Sequence, residues 1–149
     1  MDFTIDADQL AASLLVRERT FLPTDCAVVE GTIAQAGTRR LLVFDTLLLN
    51  LGELDCVIGD PAAPEPPVLA ADFEYHDCHG HHHMHGYAAY ELRRPDGSLA
   101  ALGTKQGFCL LDNQPVHPAA KASRTYDCEF QGLASGWADL YARTVEGQW

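Results

Sequence analysis

The sequence predicts an all-β, single-domain protein: a β-sandwich with a short peripheral helix and long irregular loops. Short segments rich in β-branched and aromatic residues recur along most of the chain, and glycine or proline separates them. Only one segment near the start has apolar residues at helical spacing. The 149 residues suit one domain that can bury a core of its own. No composition break or internal repeat divides them, so one domain is expected over residues 1–149.

The helix is predicted over residues 6–19 (DADQLAASLLVRER). Leu10, Leu14 and Leu15 have helical spacing there, behind an aspartate that can cap the first turn. The segments that follow are rich in residues that favour strands. Strands are accordingly predicted over 26–34, 39–52, 53–60 and 72–92.

Proline and glycine mark the loops and one hairpin. Residues 61–68 hold four prolines in eight positions, which predicts an extended loop. The triplet 95–97 is Pro-Asp-Gly, a turn in which proline presets φ and glycine takes a positive φ. We therefore expect a hairpin that joins 87–92 to 99–111, followed by an irregular loop over 112–125.

The charge balance limits the partners that the protein is expected to have. Twenty-one acidic residues against ten basic ones give a formal charge of −11. Such a field repels nucleic acid and anionic membranes, and it attracts metal ions, amines and basic proteins. No apolar run is long enough to cross a bilayer. Neither nucleic acid nor membrane is expected as a partner, although the charge can also serve solubility alone.

Six of the seven histidines lie within residues 76–87 (HDCHGHHHMHGY), which predicts a metal site. If this segment is a strand, His79, His81 and His83 project from one face, because successive side chains alternate. Gly80 leaves room on the other face. Three neutral imidazoles without a thiolate suit copper(II), zinc or nickel.

The other histidines of the cluster are predicted to be supporting or surface residues: His76, His82 and His85. His85 shares the parity of the three candidate ligands and could replace one of them. A cupin site would need a glutamate about five residues after the second histidine, and Glu91 comes too late. A zinc-dependent hydrolase would need a base such as Glu74 or Glu91.

Three blocks of the sequence resemble the catalytic domain of lysyl oxidases. They are FEYHDCHGHHHMHGYAAYEL (73–92), GTKQGFCLLD (103–112) and QGLASGWADLYARTVEGQW (131–149). The resemblance extends over roughly residues 5–149. It implies that His79, His81 and His83 bind copper(II).

The same resemblance implies an organic cofactor and a base. Lys105 and Tyr141 match the lysine and tyrosine that become cross-linked as lysine tyrosylquinone. Asp139 matches an acidic residue near the quinone and is a candidate general base. Such a cofactor would serve as the electron sink that amine oxidation needs and that ordinary side chains lack.

Five cysteines are present, so at least one is left without an intramolecular disulfide partner. The resemblance implies a disulfide between Cys78 and Cys128 close to the copper site. It leaves three cysteines unassigned: Cys26, Cys56 and Cys109.

The resemblance implies a copper-dependent amine oxidase. Such an enzyme converts cationic primary amines, either peptidyl lysine or small amines, to aldehydes with oxygen, and it releases hydrogen peroxide and ammonia. The alternative is a copper-binding relative without turnover. The family domain continues into at least one further strand, so the resemblance implies one of three cases: the sequence is truncated, the gene is short, or a second copy or a partner chain completes the sheet. An extracellular location is expected from the family, although no signal peptide is recognisable.

Overall fold

Short antiparallel strands form most of the regular structure in the computed structural model, which describes residues 1–103 and 107–149. The predicted all-β class is confirmed. The helical elements are α1 (Ala7–Ser13), α2 (Cys26–Val29) and a 3-10 turn (Ala70–Asp72). None of the helices in the described ranges is long and apolar enough to cross a membrane. The strands are β1 (Phe3–Ile5), β2 (Leu15–Phe21), β3 (Gly37–Val43), β4 (Thr46–Asn50), β5 (Cys56–Gly59), β6 (Phe73–His76), β7 (His81–Met84), β8 (Glu91–Arg93), β9 (Leu99–Leu102), β10 (Gln114–Pro115), β11 (Gln131–Leu133) and β12 (Trp137–Tyr141).

The largest sheet places the last strand at its centre. Within the described ranges, one four-stranded sheet has the order β1-β4-β12-β10, and the other strands form the pairs β2-β3, β5-β11, β6-β7 and β8-β9. Strand β12 pairs antiparallel with β4, with Asp139 opposite Leu48 and Tyr141 opposite Thr46. The candidate base and the candidate cofactor tyrosine are therefore fixed by backbone pairing inside this sheet.

The N-terminal helix begins where the sequence predicts and ends earlier. The Asp6 side chain accepts a hydrogen bond from the backbone N–H of Gln9 at 2.9 Å, as an N-cap does. The helix ends at Ser13, and from Leu15 onward the chain pairs residue by residue with β3. The prediction of helix as far as residue 19 was therefore wrong, because sheet pairing outweighs local helical spacing.

The strand predicted over 26–34 is also wrong. Its first residues form α2, and the turn after it is closed by a hydrogen bond from Ile33 N–H to the Ala27 carbonyl at 2.7 Å. Ala27 is buried against Phe21, Leu41 and Val43. A run of four apolar residues fits either a helix or a strand, and packing decides between them.

The remaining strand predictions hold with adjusted bounds. The segment 39–52 divides into β3 and β4. The segment 53–60 contains β5, and the predicted hairpin forms from β8 and β9, with Gly97 at φ +82° in its turn. The proline-rich segment 61–68 contains turns and no strand.

Two apolar clusters support these sheets. One contains Leu110, Leu133 and Trp137 and lies beside β11 and β12. The other contains Phe21, Leu41 and Val43 and lies between β2, β3 and α2. Burial of such side chains contributes about 1.5–3 kcal/mol each. The first cluster therefore anchors the strand that carries Tyr141, and the second anchors the helix that precedes Glu30.

Asn50 is expected to be essential for stability, because it is fully buried and links two parts of the chain. Its Nδ2 donates to the carbonyls of Leu54 and Leu133, each at 3.0 Å, and its Oδ1 accepts from Gly52 N–H. Asn50→Ala should lower the free energy of unfolding in urea by about 2–3 kcal/mol, since buried carbonyls lose their donors. The exposed Gln35→Ala is the control and should change it by less than about 0.5 kcal/mol. Equal stability of Asn50→Ala and the wild type would contradict this role.

Candidate functional site

The histidine-rich segment forms a hairpin of β6 and β7 joined by a turn over residues 77–80. The register places His76 opposite His81 and Glu74 opposite His83. Directly opposed residues of antiparallel strands project from the same face. One face of the hairpin therefore carries three imidazoles and a carboxylate. The other face carries the His82 and Tyr75 rings, whose centroids lie 5.0 Å apart.

His79 lies in the turn and not in a strand, so the prediction that one strand holds all three candidate ligands was wrong. The N–H groups of His79 and Gly80 both donate to the carbonyl of His76, at 3.0 and 2.8 Å. Gly80 has φ +69°, a left-handed conformation that glycine adopts without strain. The turn brings the His79 ring to 5.9 Å from His81 and 5.2 Å from His83, measured between centroids.

The imidazoles of this face are in close contact. The Nε2 atoms of His81 and His83 are 3.0 Å apart, and His83 is only 4% exposed. The His76 ring lies 4.2 Å from the His83 ring, nearer than the rings of His79 or His81. His76 was predicted to be a supporting or surface residue. The sequence signal that could have placed it here is the hairpin register, which sets it opposite His81.

Glu30 joins the histidines from a distant part of the sequence. It follows α2, and its side chain is 17% exposed. Its Oε2 lies 3.3 Å from His79 Nε2, and its Oε1 lies 3.1 Å from His76 Nδ1. Nothing in the local sequence around Glu30 indicated this position, because α2 was predicted to be a strand.

The disulfides differ from the predicted pairing of Cys78 with Cys128. Cys78 pairs with Cys26, with Cα atoms 5.8 Å apart, and Cys128 pairs with Cys109, with Cα atoms 5.4 Å apart. The first disulfide ties α2 to the turn of the histidine hairpin, and the second ties the loop before β11 to the segment beside β7. Cys56 has a free thiol, whose pKa is raised by burial.

The donor atoms of the cluster fit copper by their chemistry. Imidazole nitrogens are common ligands of copper and zinc, and carboxylates often complete such sites. Within the part of the chain that the structure describes, no three His, Cys, Asp or Glu side chains are arranged so that they could hold a metal ion. The side chains with suitable donor atoms therefore lie close together, but they do not form a coordination shell. The assignment of His79, His81 and His83 to copper stays a prediction.

Tyr141 is connected to the histidine hairpin through Phe108. The backbone of Phe108 exchanges hydrogen bonds with Met84, the residue after His83, at 2.8 and 3.3 Å. The Phe108 ring packs edge-on against the Tyr141 ring, with 4.4 Å between centroids. The Tyr141 hydroxyl donates to the carbonyl of Cys109. Burial and the nearby Asp139 raise the pKa of this phenol well above its ordinary value.

Asp139 is fully buried two residues before Tyr141, on the same face of β12. Its Oδ1 accepts from Asn113 Nδ2 at 2.9 Å, and its Oδ2 accepts from Leu111 N–H at 3.3 Å. Burial raises the pKa of Asp139 to about 8, although the two hydrogen bonds oppose this rise. A carboxyl group that titrates near neutral pH suits proton transfer.

Tyr87 lies beside this pair with its hydroxyl shielded from solvent, and no sequence pattern predicted it. Its hydroxyl is shielded from solvent and has no hydrogen-bond partner among the described residues. Its ring lies 5.6 Å from the Phe108 ring. Burial, with a contribution from Asp139, raises the pKa of Tyr87 far above its ordinary value. The phenols of Tyr87 and Tyr141 and the carboxyl group of Asp139 therefore share one apolar environment.

Lys105, the predicted cofactor lysine, lies outside the described residues. The neighbouring Gly107 is described and lies against the histidine hairpin. A Cβ atom at Gly107 would lie 3.2 Å from the Met84 carbonyl oxygen and 3.3 Å from the His83 Cβ. Glycine thus permits the close approach of the backbone to His83 at this point.

Comparisons with known proteins agree on one family. A sequence model of the lysyl oxidase family matches residues 1–149. Lysyl oxidase homolog 3 of Homo sapiens is 30% identical to the chain, over 96% of this chain and 20% of the relative. Lysyl oxidase homolog 2 of Bos taurus is 27% identical, over 99% of this chain and 19% of the relative. The chain therefore spans about a fifth of the length of these curated relatives.

The family model matches the whole length of this all-β domain, including the histidine hairpin. The chain belongs to the lysyl oxidase family. The resemblance based on the three sequence blocks is confirmed.

The raised pKa of Asp139 predicts a specific pH dependence of stability. The folded protein retains this proton up to a pH of about 8, whereas the unfolded chain releases it near 3.8. The folded state therefore binds more protons between these values, and the free energy of unfolding should fall as the pH rises through this window. Asp139→Asn should remove this component, so that its urea-unfolding curves at pH 5, 6.5 and 8 show a smaller decline than the wild type.

The exposed Asp96→Asn is the control for this experiment, because Asp96 lies in the β8-β9 turn with its pKa lowered by hydrogen bonds to Ser98. It should leave the decline between pH 5 and 8 unchanged. Parallel pH curves for the wild type and Asp139→Asn would contradict the raised pKa.

Proposed function

We propose that this chain is the catalytic domain of a copper-dependent amine oxidase. It oxidises primary amines, either peptidyl lysine or small amines, to aldehydes with oxygen, and it releases hydrogen peroxide and ammonia. Membership of the lysyl oxidase family supports the proposal. The observation that carries it is structural: the Met84 backbone at the end of β7 pairs with Phe108, and the Phe108 ring packs against the Tyr141 ring.

Copper would be held by His79, His81 and His83. Their rings lie within 4.9–5.9 Å of each other, and the Nε2 atoms of two of them are already in contact. The rings would have to rotate for all three to face one ion, because the described side chains do not form a coordination shell as they stand. Bound copper would supply the redox chemistry that turns Lys105 and Tyr141 into lysine tyrosylquinone.

The chain's own residues prepare Tyr141 for this role. Phe108 packs against its ring and excludes water from one side. The Cys109 carbonyl accepts a hydrogen bond from the hydroxyl and fixes the direction of the O–H bond. Burial and the nearby Asp139 raise the pKa of this phenol, so that its neutral form is favoured further in the metal-free protein.

Asp139 would act as the base that accepts a proton from the carbon next to the substrate nitrogen. Its pKa of about 8 gives it more affinity for a proton than an ordinary carboxylate has. General bases of this kind contribute about 10²–10⁴-fold to a rate. Asn113 and Leu111 hold the carboxyl group in one orientation.

The charge of the molecule supports a cationic substrate. A formal charge of −11 steers protonated amines and lysine-rich surfaces towards the protein. The two disulfides within the described residues suit an oxidising compartment, which agrees with the expected extracellular location. Completion of the sheet by a second copy or a partner chain stays a prediction.

The second candidate is a copper-binding protein without turnover. One observation favours it: the Tyr141 hydroxyl is bonded to the Cys109 carbonyl and is not directed to an imidazole. In that case copper would bind to the histidines while Tyr141 kept an unmodified side chain.

Single histidine variants should test the copper site. His79→Ala, His81→Ala and His83→Ala should each weaken copper(II) binding at least tenfold in a competition titration with a chelator, because each removes one imidazole ligand. His117→Ala is the matched control, since His117 is exposed and lies outside the cluster. Copper affinities equal to the wild type in all three variants would contradict the assignment.

The cofactor should be visible in the intact mass. The copper-loaded wild type, kept in air, should change its mass by the loss of hydrogen and the gain of oxygen, and it should stain for quinone. Lys105→Ala and Tyr141→Phe should abolish both signals and the release of hydrogen peroxide from a primary amine, because each removes one partner of the cross-link.

The chain offers matched controls for both variants. Lys121 is the other of its two lysines, lies at the surface and pairs with Asp55. Tyr75 is 53% exposed. Lys121→Ala and Tyr75→Phe should retain the quinone. A copper-loaded wild type that binds the metal and gains no quinone would favour the protein without turnover.

A further inference from the structure

The carboxylate of Glu30 lies between the imidazoles of His76 and His79, and the segment that carries Glu30 is bonded to the histidine hairpin. Glu30 directly follows α2, and its N–H donates to the carbonyl of Cys26 at 2.8 Å. Cys26 is in turn bonded to Cys78 in the turn that carries His79. Helix, disulfide and turn thus form a closed ring of contacts that fixes Glu30 against the hairpin.

The two carboxylate oxygens have different neighbours. Oε2 lies 3.3 Å from Nε2 of His79, and Oε1 lies 3.1 Å from Nδ1 of His76. Oε1 is shielded from solvent and makes no hydrogen bond among the described residues. A shielded carboxylate oxygen is costly unless a neighbouring group compensates its charge, and the His76 ring at 3.1 Å is placed to do so.

The histidine face therefore has an asymmetric arrangement. His81 and His83 are set by the pleat of β7, with His83 almost fully buried. His79 is in a turn, where no strand fixes its side chain, and Glu30 is the carboxylate in contact with its ring. Carboxylates that contact metal-binding histidines set the ring orientation and raise the basicity of the ligand.

We propose that Glu30 is a positioning residue of the copper site that acts through His79. Its carboxylate orients the His79 ring towards the rings of His81 and His83. It also places a negative charge next to the His79 ring. This inference rests on the proposed function, in that it assigns copper to the histidine face. It adds a residue to which the family resemblance assigned no role.

The test compares copper(II) affinities of Glu30→Gln and the wild type by competition titration. Glu30→Gln retains the shape of the side chain and removes its charge, and it should weaken copper binding about 10–100-fold. The matched control is Glu53→Gln, since Glu53 is exposed and the variant makes the same change of charge. An unchanged affinity in Glu30→Gln would overturn the proposal.

A double-mutant cycle separates positioning from a general structural effect. In the His79→Ala background, Glu30→Gln should cause little further loss, because the residue through which it acts is gone. In the His81→Ala background, it should still cause its full loss. Equal losses in both backgrounds would show that Glu30 does not act through His79.

A measurement on metal-free protein makes the test independent of copper. The ¹⁵N chemical shifts of the His79 ring should report a proton on Nε2 in the wild type, because an acceptor lies there, and should shift in Glu30→Gln but not in Glu53→Gln. Unchanged His79 shifts would overturn the proposal. Absence of amine oxidation in copper-loaded wild type would contradict the proposed function instead, so the two failures are distinguishable.

Discussion

The antiparallel pairing of β6 with β7 is the constraint on which the site depends. Its register sets His76 opposite His81 and Glu74 opposite His83, so that the polar groups of both strands share one face. A slip of one residue would turn the β7 imidazoles to the other face and bring His82 in their place. The pairing of Met84 with Phe108 extends this arrangement by one more segment. Tyr141 is held on β12 by its pairing with β4, and its ring contacts the Phe108 ring at 4.4 Å between centroids.

The electrostatic environment changes sharply between the two ends of this arrangement. At the histidine end, Glu30 and Glu74 surround imidazoles that retain partial contact with solvent, which suits a cation. At the Tyr141 end, apolar rings surround a carboxyl group and two phenols, and burial raises all three pKa values. The raised pKa values therefore favour the protonated forms of Asp139, Tyr87 and Tyr141, whereas the carboxylates beside the histidines attract a cation.

Sequence patterns predicted the parts of the site that depend on local periodicity. Alternation placed His81 and His83 on one face, and Pro95-Asp96-Gly97 predicted the β8-β9 hairpin. Local patterns could not predict that His79 lies in a turn, since the hydrogen bonds to the His76 carbonyl that close it depend on the pairing of two strands. They also missed Glu30 and the Cys26–Cys78 disulfide, because α2 reaches the hairpin only through tertiary packing. The Cys78–Cys128 pairing came from the family resemblance and was wrong, because Cys78 pairs with Cys26 and Cys128 pairs with Cys109. Lys105 lies outside the described residues.

The central claim is that the histidine face binds one copper ion through several imidazoles. Pulsed electron paramagnetic resonance of the wild type with one equivalent of copper(II) tests it most directly, because the modulation pattern counts coordinated imidazole nitrogens. We expect a single copper species with three imidazole ligands, and a loss of one ligand when His79, His81 or His83 is replaced. A spectrum with one imidazole or none, or a mixture of weak surface species, would contradict the account.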